Sequence, residues 1–362
     1  LRGNGHAPYR LPVAIAYRPG CGECQGQRCA RACKGEGWTR VLADTSAQHR
    51  VVIRCSTHVR TLAAEVDGMV RLDLAGPHRQ SIRARRVVLA AGALNTPRLL
   101  LNSPDLFERE PHPMIGRGLM FHSSDLFTVG VSPGLASDGP KKTMALRDFY
   151  DLPEGRGGEI QSLGFDLAPR LVSRYLSELV AARGIPGGPY LMAALRIPAT
   201  VMARWLGEPP VLATILEDLP YTENRVLAAP EAYAADQPIQ VSYTVKPELE
   251  ARAMAMRRAI GAAFAPMKVT FLLSRIAPNL GHPCGTVRMG DAPETDPVDA
   301  KGRLRGVAAQ IYVADASVLP SSGGVNPGLT VAANALRIAE ALTSGHALPQ
   351  GAAGRWSNAR AS

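Results

Sequence analysis

Arg86-Val87-Val88-Leu89-Ala90-Ala91-Gly92-Ala93-Leu94-Asn95-Thr96-Pro97 is the stretch that decides the fold. The run to Ala91 is short, apolar and β-branched, the composition of a buried strand. It stops at Gly92, where the lack of a side chain lets backbone approach a ligand closely. Thr96 before Pro97 reads as an N-cap and a first helical residue, so a helix is predicted over Pro97–Leu101. Strand, glycine and helix start, in that order, bring backbone close to a ligand at the carboxyl end of a parallel strand.

A second strand of this buried, parallel type is predicted at Ile311–Ala314. Between the two strands the texture changes. Ile239, Val241, Tyr243 and Val245 alternate with polar residues, which predicts a half-buried antiparallel strand. Leu171–Val180 reads as a helix, Gly184–Tyr190 as a loop, and Pro247–Phe264 as a helix opened by its proline. Upstream, Arg50–Arg60 and Met69–Leu74 read as strands joined at an Asp67-Gly68 turn. The last helix is expected from Asn326-Pro327 to about Thr343, with Gly345 as its C-cap. An α/β nucleotide-type domain interrupted by an inserted α+β segment is the simplest account.

Two C-terminal segments carry chemistry. Gly281-His282-Pro283-Cys284-Gly285-Thr286-Val287-Arg288-Met289-Gly290 is one, and Asn326-Pro327-Gly328-Leu329-Thr330 is the other. Between them lies Ile311-Tyr312-Val313-Ala314-Asp315-Ala316-Ser317-Val318-Leu319-Pro320. A histidine near its ordinary pKa accepts a proton at neutral pH, and a second polar side chain can hold the reacting oxygen. Taken singly, His282 is a hydrogen-bonded loop histidine, Asn326 an N-cap before Pro327, and Asp315 a cap on the next turn.

The ordered set resembles the glucose-methanol-choline (GMC) oxidoreductases, flavin enzymes that oxidise alcohols and sugars. Ala90–Pro97 is similar to that family's second signature, and Gly118–His122 to its N-L-M-x-H segment, which places His122 near the cofactor domain. The resemblance implies FAD as cofactor, His282 as base and Asn326 as the group that orients the hydroxyl. It also implies cofactor contacts at Ala91, Gly92, Ala314, Asp315, Asn326 and Pro327. The expected architecture is α/β plus α+β. An incomplete Rossmann-like FAD-binding domain spans 1–122 and 280–346. A substrate domain with an antiparallel sheet spans 123–279, and a disordered tail spans 347–362.

The family begins with a G-x-G-x-x-G after its first strand, and no such fingerprint stands here. The resemblance covers most of residues 15–346. Leu1 is not a start methionine, so the expectation is a fragment lacking the first βαβ unit, which alone binds FAD weakly.

Cys21, Cys24, Cys29 and Cys33 have metal-like spacing and could hold zinc or an iron–sulfur cluster. A disulfide is the alternative in an oxidising compartment, and a structural loop near the flavin the default. Cys55 and Cys284 read as core or loop cysteines.

The 362 residues allow a sizeable core, and 46% apolar with 20% charged residues are globular values. The net charge of +10 comes mostly from scattered arginines, and only 5% of residues are aromatic, which disfavours a nucleic-acid partner. No apolar run is long enough to span a membrane. The partners expected are a small alcohol or sugar and an electron acceptor the sequence leaves open. The location is cytoplasmic by default, unless a targeting segment precedes Leu1. Two rival readings remain: a non-catalytic or degenerate relative, and a metal module built on the four cysteines.

Overall fold

In a computed structural model of the chain, the structure describes residues 1–21, 29–37, 51–75, 80–130, 140–166, 194, 210–228 and 238–343. The expected helix at 171–180, the loop at 184–190, Gly345 and the tail lie outside them.

A two-residue strand β1 (Tyr9–Arg10) comes first. Three strands then form an antiparallel meander: β2 (Val59–Ala64), β3 (Val70–Leu74) and β4 (Ser81–Ala84). The expected turn joins β2 to β3. Gly68 takes φ +79°, and the Asp67 carboxylate accepts the Met69 N–H at 3.1 Å. The strand predicted from residue 50 begins only at Val59. Ser56 sits at φ +52° in a turn with Cys55, which breaks the extended run, and Val52 and Ile53 are exposed.

β5 (Arg86–Leu89) leads into α1 (Gly92–Leu101). β5 is buried on one face only, through Val87 and Leu89, while Val88 is exposed. The helix starts five residues earlier than the Thr96-Pro97 signal suggested. Gly92, at φ +83°, makes the turn and gives its N–H to Asp315 at 2.8 Å. Pro97 thus lies inside the helix, where it has no N–H for the carbonyl of Ala93. The Thr286 hydroxyl donates to that carbonyl at 2.6 Å instead.

The large sheet follows. Its strands are β6 (Met120–Ser124), β7 (Leu126–Val129), β8 (Met144–Leu146), β11 (Gly158–Asp166) and β12 (Pro210–Leu216), preceded in the chain by a small hairpin of β9 (Asp151–Leu152) and β10 (Gly155–Arg156). β13 (Arg225–Val226) pairs with β14 (Val241–Ser242), and α2 (Pro247–Ala263), β15 (Val269–Phe271) and β16 (Ala277–Cys284) follow. The sheet order is β1-β8-β11-β12-β6-β16, with β7 beside β12 and β15 beside β7, and every pairing antiparallel. β6 and β16 are neighbours, so the segments entering and leaving this region lie side by side.

The predicted strand around 239–245 is only two residues of ladder. Ile239 and Tyr243 still turn inward, packing on Leu119, Phe121 and Val226. α2 matches its expectation closely, with Pro247 in its first turn, Glu248 and Glu250 at its positive end, and Phe264 as C-cap.

Alternation gives the sheet two faces. Phe127, Val129, Ile160, Leu212 and Leu216 pack on Leu249, Ala253, Met256 and Ile260 of α2. Leu126, Gln161, Leu163, Ala213 and Ile215, one position out of step, point to the other side and line a cavity.

β17 (Gln310–Val313) pairs with β5 in parallel, Ile311 opposite Val87 and Val313 opposite Leu89. This pair, α1 and the meander share a second core of Leu62, Val70, Leu99, Leu100, Val287, Ile311 and Val313. Each such side chain contributes roughly 1.5–3 kcal/mol when fully buried. The chain closes with α3 (Gly328–Thr343).

Candidate active site

His282 sits near the end of β16, where the β6–β16 register shifts between Asn279 and Cys284. The bulge takes the histidine off the regular ladder. Asn279 holds the loop, its Oδ1 accepting the Gly281 N–H at 3.1 Å while its amide lies 3.4 Å from His282 Nδ1. Burial, with the nearby positive charge of Lys142, pushes the His282 pKa down. The ring is therefore neutral at pH 7 and free to accept a proton.

The His122 ring stands edge-on to His282, centroids 5.1 Å apart at 89°. Its Nε2 lies 2.8 Å from the Gly323 carbonyl. A carbonyl only accepts, so Nε2 carries the hydrogen and Nδ1 is left with a lone pair. Nδ1 is buried without a partner among the described residues. Desolvation, then repulsion from His282, takes the His122 pKa down from 6.5 to about 4.

Residues 321–326 carry Asn326 and are clamped to the sheet. Ser322 Oγ accepts the Asp218 N–H at 2.8 Å, Gly324 accepts the Glu159 N–H at 2.7 Å, and Tyr150 OH accepts the Gly324 N–H at 3.1 Å. A Cβ on Gly324 would lie 2.7 Å from the Gly158 Cα, so the approach requires glycine. Asn326 lies just before α3. Its amide donates to Gln161 Oε1 at 2.6 Å. Gln161 and Asn279 both line the cavity of about 320 Å³ on the open sheet face. His282 and Asn326 are thus each one polar contact from the same space.

Asp315, at the end of β17, accepts four hydrogen bonds from the protein. Gly92 N–H and the Thr96 hydroxyl reach Oδ2 at 2.8 and 2.5 Å, and the N–H and hydroxyl of Ser317 reach Oδ1 at 2.8 and 2.5 Å. These contacts make Asp315 a tie between strand, turn and helix. Ala314 gives its N–H to the Leu89 carbonyl at 2.9 Å, closing the tip of the parallel pair, where Ala91 is exposed. Pro327 opens α3, its carbonyl accepting the Val331 N–H at 2.9 Å.

Two models of one family, each described as GMC oxidoreductase, match residues 12–124 and 220–335. The chain belongs to the GMC oxidoreductase family. It is 30% identical to 6'''-hydroxyparomomycin C oxidase of Streptomyces lividus and 29% identical to paromamine 6'-oxidase of Streptomyces fradiae. The matches cover 94% and 93% of this chain but 62% of each relative. The chain therefore spans less than two thirds of the curated relatives it matches. Among solved structures it resembles an FAD-dependent oxidoreductase from Chaetomium thermophilum, with TM-score 0.58 and 17% identity over 88% of this chain and 66% of that one. It also resembles pyridoxine 4-oxidase from Mesorbium loti, with TM-score 0.51 and 20% identity over 80% and 57%. At those identities the likeness shows the fold, an FAD-binding oxidoreductase fold.

The residues present fit a flavin. Gly92 has open space where a side chain would stand, and α1 begins without a side-chain cap. Against Gly118, the buried Nη1 of Arg288 lacks an acceptor among the described residues. Those groups, with the start of α3, are the ones that would hold the ring system and its polar edge.

The cysteine cluster is only partly described, since Cys24 lies outside. Among the described residues no three ligands gather for a metal ion. Cys33 is buried, and its N–H donates to Cys29 Sγ at 3.3 Å. That bond, with one from the Arg31 backbone, lowers the Cys29 pKa to about 7. Burial pushes the Cys284 thiol well up, as for a core cysteine.

Sequence reasoning missed Gln161, Asn279 and Asp218, and placed His122 near the cofactor side without its contact to His282. No local signal marks the first three. His122 yields a pH prediction. An unfolded histidine titrates near 6.5 and the folded one near 4, so the unfolded chain binds more protons between those values. The stability tied to neutral His122 is complete above about pH 6.5 and is lost as pH falls towards 4. In urea titrations the midpoint should drop across that window, and His122→Asn should drop less. Equal pH slopes for the two proteins would refute it.

Proposed function

We propose that the protein of which this chain is part is an FAD-dependent oxidoreductase acting on a CH–OH group. His282 takes the hydroxyl proton. Asn326 holds the hydroxyl oxygen so that its C–H bond is aimed correctly. Bound flavin supplies the acceptor for the hydride. His122 stays neutral beside His282 and fixes the loop carrying Asn326 through Gly323.

The observation that carries this reading is the shared cavity: His282 through Asn279, and Asn326 through Gln161, meet the same space. The depressed pKa of His282 supports a base that is unprotonated at neutral pH. Relatives named as oxidases of paromamine and of a hydroxyparomomycin support oxidation of a hydroxyl-bearing molecule.

The test is anaerobic mixing of the flavin-loaded protein with a panel of primary and secondary alcohols. Flavin absorbance should bleach in a single turnover, and more slowly when the carbinol carbon carries deuterium. A fully loaded protein that no alcohol reduces would sink the reading.

A further inference from the structure

We propose that the substrate is an uncharged alcohol with an apolar body, and not a polycationic amino sugar. This deepens the reading of His282 and Asn326 as the groups that act on a CH–OH bond, and rests on it.

On β7, β11 and β12 the residues turned away from α2 are Leu126, Leu163, Ala213 and Ile215, and Leu272 and Ala277 continue the same lining. The polar exceptions are Ser124, Gln161 and Asn279, and the last two lead to Asn326 and His282. The space therefore has a reactive polar end and an aliphatic remainder. No described residue lining it carries a charge.

An amino sugar bears ammonium groups around its rings, and each must meet a carboxylate or keep its water. The carboxylate at the neighbouring position of β11 is already matched. Glu159 pairs with Arg147 and accepts the Tyr9 hydroxyl, while Glu217, just beyond β12, faces Arg156 at 3.8 Å and is not among the residues lining the cavity. Lys142 places a positive charge near His282. The whole chain carries +10. The uncharged, mostly aliphatic lining leaves a neutral, apolar body as the complementary shape.

The chain is 30% identical to an oxidase named for a paromomycin-type compound, so the proposal separates it from that relative by its pocket chemistry.

The experiment measures anaerobic flavin reduction and equilibrium binding for 1-octanol, benzyl alcohol and glucosamine, with the flavin-loaded full-length protein. The expected result is kcat/KM at least 100-fold higher for the two apolar alcohols. Titration of 1-octanol should also raise the melting temperature, while glucosamine should not. A second arm uses Leu163→Phe, which narrows the cavity without charge. It should lower kcat/KM for 1-octanol roughly tenfold relative to that for 1-propanol. Glucosamine reducing the flavin as well as 1-octanol does would overturn the proposal while leaving alcohol oxidation standing. Reduction by none of the three, with no melting shift from 1-octanol, would overturn the proposal and the function beneath it. An unchanged chain-length preference in Leu163→Phe would overturn the placement of the substrate body in this cavity.

Discussion

Replacing His282 by alanine is expected to slow flavin reduction by an alcohol roughly 10²–10⁴-fold, the usual worth of a positioned acid–base group. The ring is half-buried, set off the ladder by a bulge and held at low pKa, so it can take a proton without first losing one. Flavin content should be unchanged, because the ring's contacts are with Asn279 and His122 and not with the groups that fit the cofactor. The melting temperature should move little. Single-turnover stopped flow at saturating alcohol, with bound flavin measured on the same sample, separates these effects. A fully loaded His282→Ala protein that reduces at nearly the wild-type rate would remove the histidine from the chemistry.

The second large effect is on stability. Asp315→Ala strands two backbone N–H groups and two hydroxyls that the carboxylate now accepts, in a site only 7% exposed. Buried donors without acceptors cost about 1–3 kcal/mol each, and the two hydroxyls can turn to other acceptors, so a loss of about 3–5 kcal/mol is expected. Asp315→Asn keeps an acceptor oxygen and should lose less. Urea denaturation of the three proteins at one pH measures this. A loss under about 1 kcal/mol for the alanine variant would show that the four bonds are not holding the junction together.

Local signals made part of this protein legible. The β-branched runs at 86–91 and 311–314 were read as strands of one type, and they pair in parallel. Pro247 and the break before Pro266 bounded α2 to within a residue. His282 and Asn326 stand out as candidates because their neighbours stand in a recognisable order. What escaped notice has a physical cause. β12 reads Pro-Val-Leu-Ala-Thr-Ile-Leu without polar alternation because one face meets α2 and the other the cavity, so neither is wet. The Asn326–Gln161 bond joins positions 165 residues apart, and nothing near Gln161 announces it. Thr96-Pro97 misled because a helix start was inferred from chemistry that the fold uses differently. The glycine makes the turn, and the proline falls within the helix.

That proline also bears on the order in which the chain assembles itself. The carbonyl of Ala93 is closed by a hydroxyl 193 positions further on. During synthesis α1 emerges with that carbonyl open, and it stays open to water until Thr286 has been made. Closing so long a segment costs entropy that grows only with the logarithm of its length, but contacts this distant slow folding markedly. This junction is therefore built backwards: its earliest helix is completed by one of its later residues.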